Sequence, residues 1–158
     1  MRCSDLVDGE PVDAILEKIT DFTCALRYED LTPAAIHECK RRFIDSLGCV
    51  AGGYDAAPCT IAREAAVKVK SKRTARVLGS LTPTTPELAA FANGVMIRFL
   101  DLNDATGSGG GHPSDAFAAL LAAAEQRKTD GKTFVLASII VYEIYLGFFA
   151  GNRIRNRG

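Results

Sequence analysis

An all-α domain of several helices, with at most one short strand, is the fold class this chain predicts. Three observations carry that reading. Apolar residues recur at three- to four-residue spacing through successive stretches. Two of those stretches open on a Thr-Pro pair, which supplies an N-cap followed by proline at the first helical position. Only the segment from Thr74 to Leu78 alternates as a strand would. The 158 residues, 47% hydrophobic and 24% charged, leave room for one folded domain of ordinary composition.

The elements follow in order. From Pro11 to Tyr28, Val12, Ile15, Leu16, Ile19, Phe22 and Leu26 keep helical spacing while Glu17, Lys18 and Asp21 fall on the other side, which predicts a surface helix with one buried face. Thr32-Pro33 starts a second helix whose stripe Ile36, Cys39, Phe43, Leu47, Val50 stops at Gly52-Gly53. A third helix is expected over Pro58 to Val69, then the strand at 74–78 and a turn cluster from Gly79 to Pro86. Thr85-Pro86-Glu87 opens a fourth helix carrying Leu88, Phe91, Ala92, Val95, Met96 and Phe99, with Asp101 and Asp104 expected at its C-terminal end. Carboxylates at that end oppose the helix dipole by about 0.3–1 kcal/mol each, so a cation, a donor, solvent or a substrate must offset them. A fifth helix is expected over Pro113 to Lys128 and a sixth, almost uncharged, over Thr133 to Gly151.

Between the fourth and fifth helices lies R-F-L-D-L-N-D-A-T-G-S-G-G-G-H-P-S-D, residues 98–115, which holds one of the two histidines. Gly107, Gly109, Gly110 and Gly111 allow positive φ and close approach of backbone to a ligand, at an entropic cost that a plain connection would seldom carry. His112, directly before Pro113, is placed as the N-cap of the fifth helix. The positive end of that helix disfavours an imidazolium, while Asp115 in the first turn pulls the other way. Ordinary capping also explains Asp and Asn at a helix end and a lone His at a helix start. The glycines and the conjunction of Asp101 with His112 favour a polar site instead.

Other chemistries fit less well. G-S-G-G-G-H lacks the lysine of a phosphate-binding loop and does not follow a strand, which argues against nucleotide binding. Asp101, Asp104 and His112 could offer a hard cation site, but no zinc-like spacing of Cys and His exists, so no metal is expected. Nineteen basic and nineteen acidic residues cancel, giving no bulk field toward nucleic acid or an anionic membrane. The 133–151 segment is nearly long enough to span a bilayer, yet Glu143, Ser138, Tyr142 and Tyr145 suit a buried helix of a helical domain better. Five cysteines without a C-x-x-C pair, and an N-terminal segment with three acids and no apolar run, point to a reduced, cytoplasmic protein.

The phrases Asp45-Ser-Leu-Gly-Cys-Val-Ala-Gly-Gly53, Ala89-Ala-Phe-Ala-Asn-Gly94, Leu100-Asp-Leu-Asn-Asp104, Gly111-His-Pro-Ser-Asp115 and Val141-Tyr-Glu-Ile-Tyr145, in this order, resemble the MmgE/PrpD family. That family includes 2-methylcitrate dehydratase and cis-aconitate decarboxylase. The resemblance runs from about Val12 to Gly158 and rests most on the D-x-N-D and G-H-P-S-D motifs. It implies that residues 1–158 form the front part of the family's helical domain, with later helices and a closing α/β domain absent. It also implies cofactor-free removal of water or carbon dioxide from a small tricarboxylate, and association as a homodimer through the helical domain. By similarity Asp101 and His112 are the catalytic residues, His112 as acid/base and Asp101 orienting it or the substrate hydroxyl. Asn103, Asp104, Thr106 and Ser114 then contact substrate. Many members carry threonine directly after the second aspartate, whereas here Ala105 stands there and Thr106 follows. Basic residues and a tyrosine that family enzymes supply from later sequence are expected to be missing. The competing expectation is a non-catalytic helical module serving dimerisation or nothing.

Overall fold

The computed structural model describes residues 13–151 apart from 73, 81 and 108–110. Six α-helices stand among the described residues: α1 (Ala14–Ala25), α2 (Pro33–Gly53), α3 (Ala57–Val67), α4 (Pro86–Arg98), α5 (Ala116–Arg127) and α6 (Gly131–Gly151). Thr32 and Thr85 cap α2 and α4 as their sequence predicts, accepting from the backbone N–H of Ala35 and Leu88. The alternating segment forms β1 (Ala75–Arg76), paired antiparallel with β2 (Pro83–Thr84), which lies inside the stretch read as turn. Gly79 makes the connection at φ 81, where a Cβ would stand 2.4 Å from the Tyr54 ring.

Helix α4 is the central element, packed against α5, α3 and α2, while α6 lies on α5 and α2. Gly94 faces the Ala118 methyl, which lets α4 and α5 approach closely. The core joins Cys59, Ala62, Ala92, Met96, Ile97, Phe117 and Val135. Phe43 of α2, Phe117 of α5 and Phe134 of α6 pack around one another, with Phe43 edge-on to Phe117 at 5.2 Å and to Phe134 at 4.9 Å. Fully buried Asn93 on α4 pins the small sheet: its Oδ1 accepts from Leu78 N–H at 2.9 Å and its Nδ2 donates to the Arg76 carbonyl at 3.1 Å. Four cysteines, Cys24, Cys39, Cys49 and Cys59, are thiols, and burial raises the pKa of the last three.

Several expectations need correction. The first helix starts at Ala14 and ends at Ala25, and Tyr28–Asp30 forms a separate 3₁₀ turn; Pro11 and Val12 lie outside the described residues. Its apolar face is not buried: Ile15 is 60% and Leu16 56% exposed. That face looks instead onto an open groove of about 430 Å³ shared with Ile144, Gly147 and Phe148 of α6. Helical periodicity shows that a face exists, but not that the chain contains its partner. On α4, likewise, Phe91 and Phe99 continue the stripe yet remain exposed. Helix α6 is long and apolar enough to cross a membrane by length and composition. It buries Val135, Ser138 and Ile140 against α2 and α5 and leaves Leu146 and Phe148 exposed.

Candidate active site

The fourth helix stops at Arg98, short of both aspartates. Asp101 follows with φ 55, a left-handed conformation that aspartate tolerates better than most side chains, and its N–H donates to the Arg98 carbonyl at 3.1 Å. This turn folds the Asp101 carboxylate back over Arg98, whose guanidinium pairs with Asp101 Oδ1. His112 Nε2 stands 3.5 Å from the same oxygen. The two residues that the sequence selected are therefore adjacent, at an edge where Asp101 is 69% and His112 17% exposed. The hydrogen bond from Arg98, then its charge, holds the Asp101 carboxyl below the usual carboxylate range.

Asp104 has the opposite environment. Its side chain is 9% exposed, and both oxygens are occupied. Oδ2 accepts from Tyr142 Oη at 2.7 Å and from Arg42 Nη1 at 2.9 Å, and Oδ1 accepts from the Ser114 backbone N–H at 3.0 Å. Burial pulls this carboxyl up, and hydrogen bonds from Ser114, Tyr142 and Arg42 outweigh it, leaving a net lowering. Burial, and then Asp104, push the Tyr142 phenol well above its usual value, so its hydroxyl stays protonated and donates. Neither aspartate ends the fourth helix; Asp104 instead satisfies a donor at the start of the next one. His112 occupies the cap position of the 3₁₀ turn Pro113–Asp115, but its side chain makes no capping bond, so the N-cap role expected of it passes to Asp104.

The remaining expected site residues lie behind the edge. Asn103, 4% exposed, donates from Nδ2 to Ser114 Oγ at 2.9 Å and to Asp115 Oδ1 at 2.8 Å. Ser114 is 1% exposed. Thr106 closes the loop by donating its N–H to the Gly111 carbonyl at 2.9 Å. Among the described residues, buried Thr106 Oγ1, His112 Nδ1 and Asn103 Oδ1 have no hydrogen-bond partner. Gly111 has φ 155, a conformation that favours glycine; Gly109 and Gly110 lie outside the described residues.

A cleft of about 550 Å³ opens beside Asp104, lined by Glu38, Cys39, Arg42, Thr106, Tyr142 and Glu143 among others. Three carboxylates there face one guanidinium, and Arg42 is already shared between Asp104 and Glu38 Oε1 at 2.8 Å. Arg41 and then Arg42 hold the Glu38 carboxyl down at about 2. Neither Asp101 nor His112 lines this cleft. No group of three or more His, Cys, Asp or Glu side chains is placed to hold a metal among the described residues. Arg42, Tyr142 and Arg98 were not singled out in the sequence as site residues. Arg42 and Tyr142 are engaged with Glu38 and Asp104, and Arg98 with Asp101.

A helical scaffold that delivers a D-x-N-D turn against G-H-P-S-D defines the class. The model of the MmgE/PrpD N-terminal domain matches residues 17–158, and the chain belongs to the MmgE/PrpD family. It is also similar to a 2-methylcitrate dehydratase of Cupriavidus necator, at 35% identity over 115 residues. That match covers 72% of this chain and 23% of the relative, so the chain spans about a quarter of the relative's length.

Proposed function

We propose that this chain supplies the acid/base edge of a lyase that eliminates water or carbon dioxide from a small tricarboxylate, without a cofactor. The observation that carries the reading is the 3.5 Å approach of His112 Nε2 to Asp101 Oδ1, at the end of the glycine loop, within the region matched by the family. In a dehydration, His112 takes the proton from the carbon beside a carboxylate. The C–H electron pair forms the double bond, and the hydroxyl leaves with a proton as water. Asp101 orients the imidazole or the departing hydroxyl. Thr106, whose hydroxyl has no hydrogen-bond partner among the described residues, is assigned to substrate. Asn103, Asp104 and Ser114 serve by positioning, since their polar atoms are mostly spent on one another and on Arg42, Tyr142 and Asp115. A substrate with three carboxylates needs cations beyond those that this edge presents.

The isolated chain is expected to show no turnover of 2-methylcitrate or cis-aconitate, followed by ultraviolet absorbance of the unsaturated product. A chimera in which this chain replaces the matching region of the Cupriavidus necator relative should dehydrate 2-methylcitrate. His112→Ala in that chimera should lower kcat by ~10²-fold or more. A chimera that keeps full activity without the imidazole would contradict the assignment, as would His112-dependent turnover by the chain alone contradict the division of labour.

A further inference from the structure

Two cations stand close to the D-x-N-D turn, and they are held very differently. Arg42 donates to the buried Asp104 and to Glu38 and lies under the Tyr142 ring contact at 5.7 Å, so any ligand that takes it must break a partly buried network. Arg98 is 40% exposed, pairs with the 69% exposed Asp101, and reaches Asp115 Oδ2 only at 3.9 Å. An exposed pair of this kind contributes little and exchanges readily. Arg98 also lines an open trough of about 550 Å³ with Phe91, Gly94, Val95, Phe99 and Asp115, which leaves room for a ligand to approach it.

We propose that Arg98 is the carboxylate anchor of this site, and that in the ligand-free chain Asp101 occupies the anchor in place of the ligand. Binding of a small organic acid then transfers Arg98 from Asp101 to a ligand carboxylate and leaves Asp101 paired with His112 alone. The inference rests on the lyase reading above and deepens it by naming the residue that recognises the substrate class. The geometry supports the exchange at each point. Asp101 Oδ1 is shared between Arg98 and His112, so losing one partner leaves the other in place. The backbone bond from Asp101 N–H to the Arg98 carbonyl keeps the two residues in register throughout. Asp115, held by Asn103 Nδ2 at 2.8 Å, remains beside the guanidinium and limits its swing.

The test uses the whole chain and citrate, with the ring signals of His112 followed by NMR and sodium chloride at matched ionic strength as the control. Wild type should show a saturable displacement of the His112 signals. Arg98→Gln should weaken citrate binding by about tenfold or more, the range for hydrogen bonds to charged groups, and Arg98→Lys should restore most of it. Arg127→Gln, on the far end of α5, should bind as wild type does. Asp101→Asn should tighten binding by about two- to fivefold, because the competitor for Arg98 is gone; a merely structural role for Arg98 gives no such gain. Melting temperatures of each variant show whether it is folded. Citrate affinity unchanged by Arg98→Gln, or weakened by Asp101→Asn, overturns the anchor and leaves the lyase reading standing. No saturable response in wild type also overturns the anchor, whereas the lyase reading stands or falls on the chimera and its His112→Ala variant.

Discussion

Asp101 and Asp104 are three residues apart, chemically identical, and placed in opposite surroundings. Asp104 is nearly buried and holds α2, α6 and the start of α5 together through Arg42, Tyr142 and Ser114. Asp101 is mostly exposed and, among the described residues, pairs with Arg98 and approaches His112. A carboxylate whose lone pairs are filled by protein donors fixes geometry, whereas one held by exposed partners can change partners.

The largest effect expected is at Asp104. Replacing it by alanine leaves the Tyr142 hydroxyl and the Ser114 N–H without their acceptor and takes one of Arg42's two carboxylate partners, and should lower stability by about 2–3 kcal/mol in urea unfolding. A loss under 1 kcal/mol would show that the network is ornamental. The same group gives a pH dependence of definite sign. Its folded-state pKa is depressed, so its contribution is present above the unfolded value of about 3.9 and is lost as pH falls through the folded value. Wild type should therefore lose stability on acidification below about pH 4 more steeply than Asp104→Asn. Parallel curves for the two would remove Asp104 from the acid response. Tyr142→Phe comes next, losing one hydrogen bond to a carboxylate and about 1.5 kcal/mol. The smallest effect belongs to Asp101→Asn, whose urea unfolding curve should overlay that of wild type.

Most of the scaffold could be read from the residues alone. Thr32-Pro33 and Thr85-Pro86 announce their helices because capping is local chemistry, and the stripe on α2 predicts the burial of Cys39 and Val50. The α1 stripe misled, since periodicity reports the shape of a face and not its coverage. The approach of His112 to Asp101 was legible because the glycine-rich loop joining them lets the chain fold back on itself. Arg42 and Tyr142 were not, lying 62 and 38 residues from Asp104 in the chain. Nothing in the local pattern of α2 ties Arg42 to the loop that follows α4. Tyr142 looked like a polar interruption of an apolar helix, although a tyrosine in such a place needs a partner for its hydroxyl, and that was the available signal. Arg98 was concealed by its position in the last turn of α4, where a basic residue already suits the helix dipole.

Paired double-mutant cycles in urea unfolding probe the distinction most directly, one for Asp104 with Tyr142 and one for Asp101 with Arg98. A coupling of about 1–3 kcal/mol is expected for the first pair, and no measurable coupling for the second, exposed pair. Equal couplings, or a stronger one between Asp101 and Arg98, would contradict the distinction.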